Sequence, residues 1–194
     1  MKIKILYMFL TVAGLSSCSS NPVKAANPPE KALVVYFSWG GNTREVAKQI
    51  GEITGSGLFE LLPEKPYTRL RYGSNGVDGI EEVAEREVKE GFQPKLKNLP
   101  DNLDQYDAIY VGSPCWFNTI APPVATFLAT AGLSGKTVIP FMTHGGSRMG
   151  KSIDDIKRLV PDANVTEGLP ISESRVSQAK KEITTWLKKN NLIK

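Results

Sequence analysis

Leu33-Val34-Val35-Tyr36-Phe37, followed at once by Ser38-Trp39-Gly40-Gly41-Asn42-Thr43 and then by Arg44-Glu45-Val46-Ala47-Lys48-Gln49-Ile50, decides the fold class of this chain. The first run is β-branched and aromatic, the middle is rich in glycine and side-chain donors, and the last puts Val46, Ala47, Ile50 and Ile53 on one helical face. The spacing therefore predicts strand, turn and helix in succession. Such a junction is a place to hold phosphate. The first N–H groups of a helix have no partner inside it, and the helix dipole puts partial positive charge there. Gly40 and Gly41 let backbone come close, and Ser38, Asn42 and Thr43 add side-chain donors. The loop has no lysine, so the anion would be held by neutral groups.

Outward from this unit the same alternation repeats. Gly57–Leu61 predicts a second strand, residues 63–76 a loop carrying Tyr67, Arg69 and Tyr72, and Val77–Lys89 a charged amphipathic helix. Asp107–Gly112 is almost wholly apolar, as a strand buried on both faces should be. Pro122–Thr130 predicts a helix with Val124, Phe127 and Leu128 inward. Lys136–Phe141 predicts a fourth strand, Ser152–Val160 a helix, Asn164–Leu169 a fifth strand, and Arg175–Asn190 a closing helix with Val176, Ala179, Ile183, Trp186 and Leu187 on one face. Strands alternating with helices imply a parallel sheet covered on both sides. Ligands of such sheets sit beyond the carboxyl ends of the strands, where the strand order reverses. Three loops lie at that edge: Ser38–Thr43, Ser113–Ala121 and Thr143–Gly150.

Together these loops resemble those of the flavodoxin-like family, most closely its stand-alone flavodoxin-domain branch. Tyr36–Thr43 is similar to the phosphate loop. Gly112-Ser113-Pro114-Cys115-Trp116-Phe117 leading to Ala121-Pro122-Pro123-Val124, and Phe141-Met142-Thr143-His144-Gly145-Gly146-Ser147, are similar to the two flavin-ring loops. The resemblance covers residues 31–192. It implies a doubly wound, five-stranded parallel sheet of order 2-1-3-4-5 in a domain over residues 31–194, with FMN as cofactor. It places the FMN phosphate on Ser38, Trp39, Gly40, Gly41, Asn42 and Thr43. The ring would stack on Trp116, with Ser113, Pro114, Cys115 and Phe117 adjoining, and Thr143, His144, Gly145, Gly146 and Ser147 at its pyrimidine end. The activity implied is one-electron carriage between partner proteins or two-electron reduction of quinones and similar small acceptors. Tyr67, Arg69 and Tyr72 read equally as the lining of a substrate mouth or as surface packing.

Three positions depart from the family pattern. Gly40 stands where a hydroxyl residue is common, His144 where a serine is common, and Cys115 is unusual in a ring loop. His144 is the candidate catalytic residue, able to hydrogen-bond a flavin or protonate a reducible substrate. Cys115 reads as a buried filler, since no base or metal-ligand partner is placed near it, and no metal is expected. The departures also leave open a second reading, a binding or scaffold module that keeps the fold without the chemistry. A competing motif, Gly145-Gly146-Ser147-Arg148-Met149-Gly150-Lys151-Ser152, fits the phosphate loop of nucleotidases. Its context argues against that use, because no downstream apolar strand ends in an aspartate that could help hold magnesium. Lys151 then reads as an exposed lysine, and Asp154 and Asp155 as surface charge.

The first residues read as a sorting signal. Lys2 and Lys4 precede an apolar run, residues 5–14, too short to span a bilayer. It ends in Leu15-Ser16-Ser17-Cys18, which resembles the lipobox of bacterial lipoproteins. The expectation is a signal peptide over residues 1–17, a lipidated Cys18, and a tether over residues 18–30 that leaves the domain in the bacterial cell envelope outside the cytoplasm. Cys18 and Cys115 are the two cysteines, so lipidation leaves no pair for a disulfide. The net charge of +4 falls to +2 without Lys2 and Lys4. Lys180, Lys181, Lys188 and Lys189 read as the solvated face of a helix, and no nucleic-acid partner is expected. Membrane contact is expected through the lipid alone. With nicotinamide cofactors scarce outside the cytoplasm, a membrane or periplasmic redox partner is expected as donor.

Overall fold

In a computed structural model, which describes residues 27–74 and 76–194, the run that opens the domain forms strand β1 (Ala32–Tyr36). The signal segment, Cys18 and most of the expected tether lie outside the described residues. β1 lies parallel to β2 (Gly57–Glu60) on one side and to β3 (Ala108–Trp116) on the other. β3 continues the parallel sheet to β5 (Thr137–His144), and β5 pairs with two short strands in line, β6 (Asn164–Val165) and β7 (Leu169–Ser172). The order is β2-β1-β3-β5-β6, with β7 on β5 and β4 (Thr119–Ile120) antiparallel to β3. The chain enters at the amino edge, where Lys31 N–H donates to the Asp107 carboxylate at 3.0 Å and Lys31 C=O accepts from Asp107 N–H at 2.9 Å.

The doubly wound order is the expected one, but seven strands stand where five were predicted. β4 is the return arm of a tight hairpin off β3, turning through Phe117 and Asn118 at φ 45° and 70°. Two-residue hairpins of this kind usually announce themselves as Asn-Gly, so Phe-Asn gives little warning. The predicted fifth strand is split. At Gly168 an added Cβ would lie 2.2 Å from Met149 Cε, so the Met149 side chain occupies the space at the interruption between β6 and β7.

Alternate residues of the central strands face opposite layers, as period two requires. Val34, Tyr36, Tyr110, Ile139 and Phe141 pack with Val46 and Ile50 of α1 (Asn42–Thr54) and with Ile183 and Leu187 of α5 (Lys180–Lys189). Leu33, Val35, Ile109, Val111 and Val138 pack with Val124 and Phe127 of α3 (Pro122–Thr130) and with Ile156 of α4 (Ser152–Leu159). α2 (Ile80–Glu90) begins three residues later than predicted. Val77 is held in a two-way backbone bridge with Ser74, and Glu82 caps the helix by accepting from Gly79 N–H at 3.0 Å.

Other boundaries shift for readable reasons. α1 begins at Asn42, before the predicted Arg44, because Ser38 Oγ accepts from the N–H groups of Gly41 (3.1 Å) and Arg44 (3.2 Å) and draws the first turn tight. β3 and β5 run on through Trp116 and His144, so residues expected in loops are strand ends. The closing helix is broken into a 3₁₀ stretch over Glu173–Gln178 and then α5. Val176 C=O accepts from Ala179 N–H at 3.3 Å in the 3₁₀ pattern and from Gln49 Nε2 at 2.9 Å, where a continuous α-helix would present Lys180 N–H. Lys180, Lys181, Lys188 and Lys189 are exposed on α5.

At the centre of the sheet Gly112 lies between Tyr36 of β1 and Phe141 of β5. An added Cβ there would fall 2.2 Å from Phe141 Cζ and 2.8 Å from Tyr36 Cβ. Gly112→Ala should therefore lower the unfolding free energy by about 3 kcal/mol. The check is a drop in the urea midpoint at unchanged slope.

Candidate functional site

At the carboxyl edge of the sheet the β1–α1 turn, the end of β3 and the end of β5 converge on one cleft of about 400 Å³, within the usual range for a small-molecule site. Trp39, Gly40, Asn42 and Thr43 line it from the first junction. Pro114, Cys115, Trp116 and Phe117 come from the second, and Thr143, His144, Gly145 and Ser147 from the third. A buried hydrogen bond, 2.8 Å between the hydroxyls of Thr43 and Thr143, ties the first junction to the third. Ser38, Gly41, Ser113 and Gly146 do not line the cleft. Ser38 shapes the turn as described, and Gly41 supplies its left-handed residue at φ 100°. Ser113 Oγ donates to Pro114 C=O at 2.9 Å and accepts from Ala121 N–H at 2.8 Å, fastening the end of β3 to the start of α3.

The cleft combines donors from the β1–α1 junction with flat apolar groups from the end of β3. The N–H groups of Asn42 and Thr43 open α1 and have no acceptor among the described residues, which suits an anion. Phe117, 42% exposed, is held at the positive φ that non-glycine residues rarely adopt, and the hairpin spends that strain at the cleft rim. Trp116 is braced from behind, edge-on to Phe37 at 5.6 Å and to Tyr67 at 5.1 Å between ring centres. This bracing settles the role of Tyr67 as packing. Its hydroxyl donates to Glu87 at 2.6 Å, and burial pushes both groups above their ordinary pKa values. Arg69 and Tyr72 are also absent from the lining. Arg69 donates to Trp39 C=O at 2.9 Å, and the Tyr72 ring lies under the Arg71 guanidinium.

Sequence reasoning missed Arg71, Ile80, Glu81, Ala84 and Glu173, all of which line the cleft. Arg71 and Glu81 arrive because the loop after β2 folds back on α2, with Ile80 N–H donating to Leu70 C=O at 2.7 Å and Glu81 N–H to Arg71 C=O at 3.1 Å. Glu173 arrives because the edge strand continues to Ser172. No periodic or motif signal marks either event.

His144 is buried at the end of β5, and its Nδ1 has no hydrogen-bond partner. Burial, with help from Arg148, pushes its pKa below the ordinary 6.5, against the pull of Glu173 and Glu182. Burial likewise pushes the Cys115 thiol up, with the Ser147 hydroxyl and the Asn118 backbone pulling the other way. A thiol shifted in that direction is a poor nucleophile at neutral pH.

The nucleotidase-like motif serves the hairpin. Gly150 sits at φ 50°, where a Cβ would be 2.2 Å from Asn118 O, and Lys151 N–H donates to that same carbonyl at 2.8 Å. Lys151 Nζ lies 3.9 Å from Asp155 and does not line the cleft. Asp155 is not the surface charge the sequence suggested. It is buried and takes the Thr119 hydroxyl and Arg158 as well.

Comparison with known proteins yields one family and a set of solved structures. The family model described as Flavodoxin matches residues 31–190. A candidate flavoprotein from Bacteroides eggerthii is 32% identical, with 84% of this chain and 99% of that chain covered and a TM-score of 0.71. A flavoprotein from Lactobacillus acidophilus, solved in complex with FMN, is 25% identical, with 76% of this chain and 97% of that chain covered and a TM-score of 0.61.

His144 is the single histidine of the chain, so its titration can be followed through one imidazole resonance of untagged protein. A depressed folded pKa means that the unfolded chain binds the proton more readily below 6.5, and stability falls as pH drops through that value. The resonance should titrate below 6.5, and His144→Gln should flatten the loss of stability below that pH.

Proposed function

This chain belongs to the flavodoxin family, and on that premise we propose that it binds FMN in the cleft and passes electrons from the flavin to small quinone-like acceptors. The observation that carries this reading is the meeting of all three strand-end junctions on one cleft, with open amide donors from the first and Trp116 and Phe117 from the second. The FMN held by the Lactobacillus acidophilus flavoprotein supports it. When bound, FMN supplies the redox chemistry. The protein binds, orients and shields. Asn42 and Thr43 would hold the phosphate, Trp116 would stack on the ring, and Thr143 to Ser147 would approach its pyrimidine side. His144 offers a ring nitrogen that can hydrogen-bond the flavin or hand a proton to an acceptor.

Small acceptors are favoured over protein partners by the second wall of the cleft. Ile80, Glu81 and Ala84 of α2, with Arg71, add a side to the cleft beyond the three strand-end junctions. One-electron carriers of this family are usually acidic, whereas this sequence has a pI of about 9.0. We further infer that Cys18 is lipidated and holds the domain in the cell envelope, where a membrane or periplasmic partner delivers electrons.

After incubation with FMN and removal of excess, the chain should keep the absorption bands of bound flavin. Thr43→Val and Trp116→Leu should each weaken retention about tenfold or more. A colourless product from the unaltered chain would favour the scaffold reading. Cys18→Ser should move the protein from the membrane to the soluble fraction of the producing cells, and unchanged partitioning would remove the anchor.

A further inference from the structure

The β1–α1 turn brings no cation of its own to the cleft. Its arginine, Arg44, is turned back to Glu60 of β2, Nη2 to Oε1 at 2.5 Å and Nε to Oε2 at 3.0 Å. Among the described residues that line the cleft, Arg71 alone is a lysine or arginine. The segment that carries it is stapled to the turn on both sides of Trp39: the indole Nε1 donates to Thr68 C=O at 2.8 Å, and Arg69 Nη1 donates to Trp39 C=O at 2.9 Å. The next residue, Gly40, leaves open space, with no atom within 4 Å of where a Cβ would stand.

Arg71 is itself held in a way that leaves its fork available. Nε donates to Glu81 at 3.2 Å, the guanidinium carbon lies 5.6 Å from the Tyr72 ring centre, Glu173 attracts the charge without a hydrogen bond, and the two Nη groups have no hydrogen-bond partner among the described residues. A planar fork anchored at Nε and lying over an aromatic ring is pre-organised for two parallel bonds to phosphate oxygens. We propose that Arg71 is the countercharge of the FMN phosphate, completing on the Gly40 side a site whose other donors are neutral. The proposal rests on the reading of the cleft as an FMN site. It accounts for two features at once. Gly40 leaves open space in the cleft wall, and Arg71 lines that same cleft with an unclaimed fork. Glu81 and Glu173 line the same cleft, and a phosphate dianion entering without Arg71 would meet both carboxylates unopposed.

The test compares FMN with riboflavin, which lacks the phosphate, by titrating each into flavin-free full-length chain at two salt concentrations. The unaltered protein should bind FMN more tightly than riboflavin, by a margin that narrows as salt rises. Arg71→Ala should weaken FMN binding about tenfold, a moderate figure because the side chain is well exposed, while leaving riboflavin binding unchanged. Arg71→Lys, which keeps the charge without the fork, should recover part of the loss at low salt. Equal affinity for the two flavins in the unaltered chain, an unchanged FMN affinity in Arg71→Ala, or an equal loss for both flavins would overturn the proposal. Failure of the unaltered chain to bind either flavin would instead remove the FMN reading itself, and this inference with it.

Discussion

The close approach of Tyr36, Gly112 and Phe141 across β1, β3 and β5 holds the three central strands in one register, and the site depends on that register. Parallel strands paired this way run in one direction, so the turns that follow Tyr36, Trp116 and His144 share one edge of the sheet, with β3 running four residues and β5 three past the level of Tyr36. The missing side chain at position 112 lets the Phe141 ring sit against β1 and β3 at the core, three residues before His144. A shift of one residue in any pair would exchange the faces of that strand and carry its loop out of the cleft. The hydroxyl pair Thr43–Thr143 closes the arrangement from above, linking α1 directly to β5.

Behind and around that edge the protein divides its labour. Away from the cleft lining, Phe37 and Tyr67 pack edge to face with each other and with Trp116, which itself lines the cleft. The rim is ionic, with Arg71, Glu81 and Glu173 drawn from three different segments. The cleft also holds groups with unmet hydrogen-bonding capacity, the Asn42 and Thr43 amides and His144 Nδ1. Gln49 Oε1, Tyr110 Oη, Ser152 Oγ, Trp186 Nε1 and Asn190 Oδ1 are also buried without a hydrogen-bond partner, but none of these five residues lines this ligand-sized space, whereas Asn42, Thr43 and His144 do.

The core of this plan was legible in the sequence because local signals and global fold agree there. Leu33–Phe37 could be read as a strand entering a helix from its composition alone, and Asp107–Gly112 and Lys136–Phe141 as buried strands from their apolar runs. What escaped was decided by tertiary contact. The hairpin at Phe117-Asn118 lacks the glycine that marks such turns, and the break in the closing helix depends on Gln49, more than a hundred residues away in sequence from Val176. Asp155 looked solvated because nothing local shows that Thr119 comes to meet it. The ionic rim was invisible for the same reason, since each member is an ordinary charged residue until the loop after β2 folds back on α2.

The Lys31–Asp107 pairing at the amino edge has a geometric corollary. β3 spans nine residues, so chain entry and cleft stand at opposite poles of the sheet, about 30 Å apart. Residues 27–30 lie at that pole beside Asp107, Thr137 and Asn164, so the described start of the chain takes no part in walling the cleft, which is furnished by residues between Trp39 and Glu173.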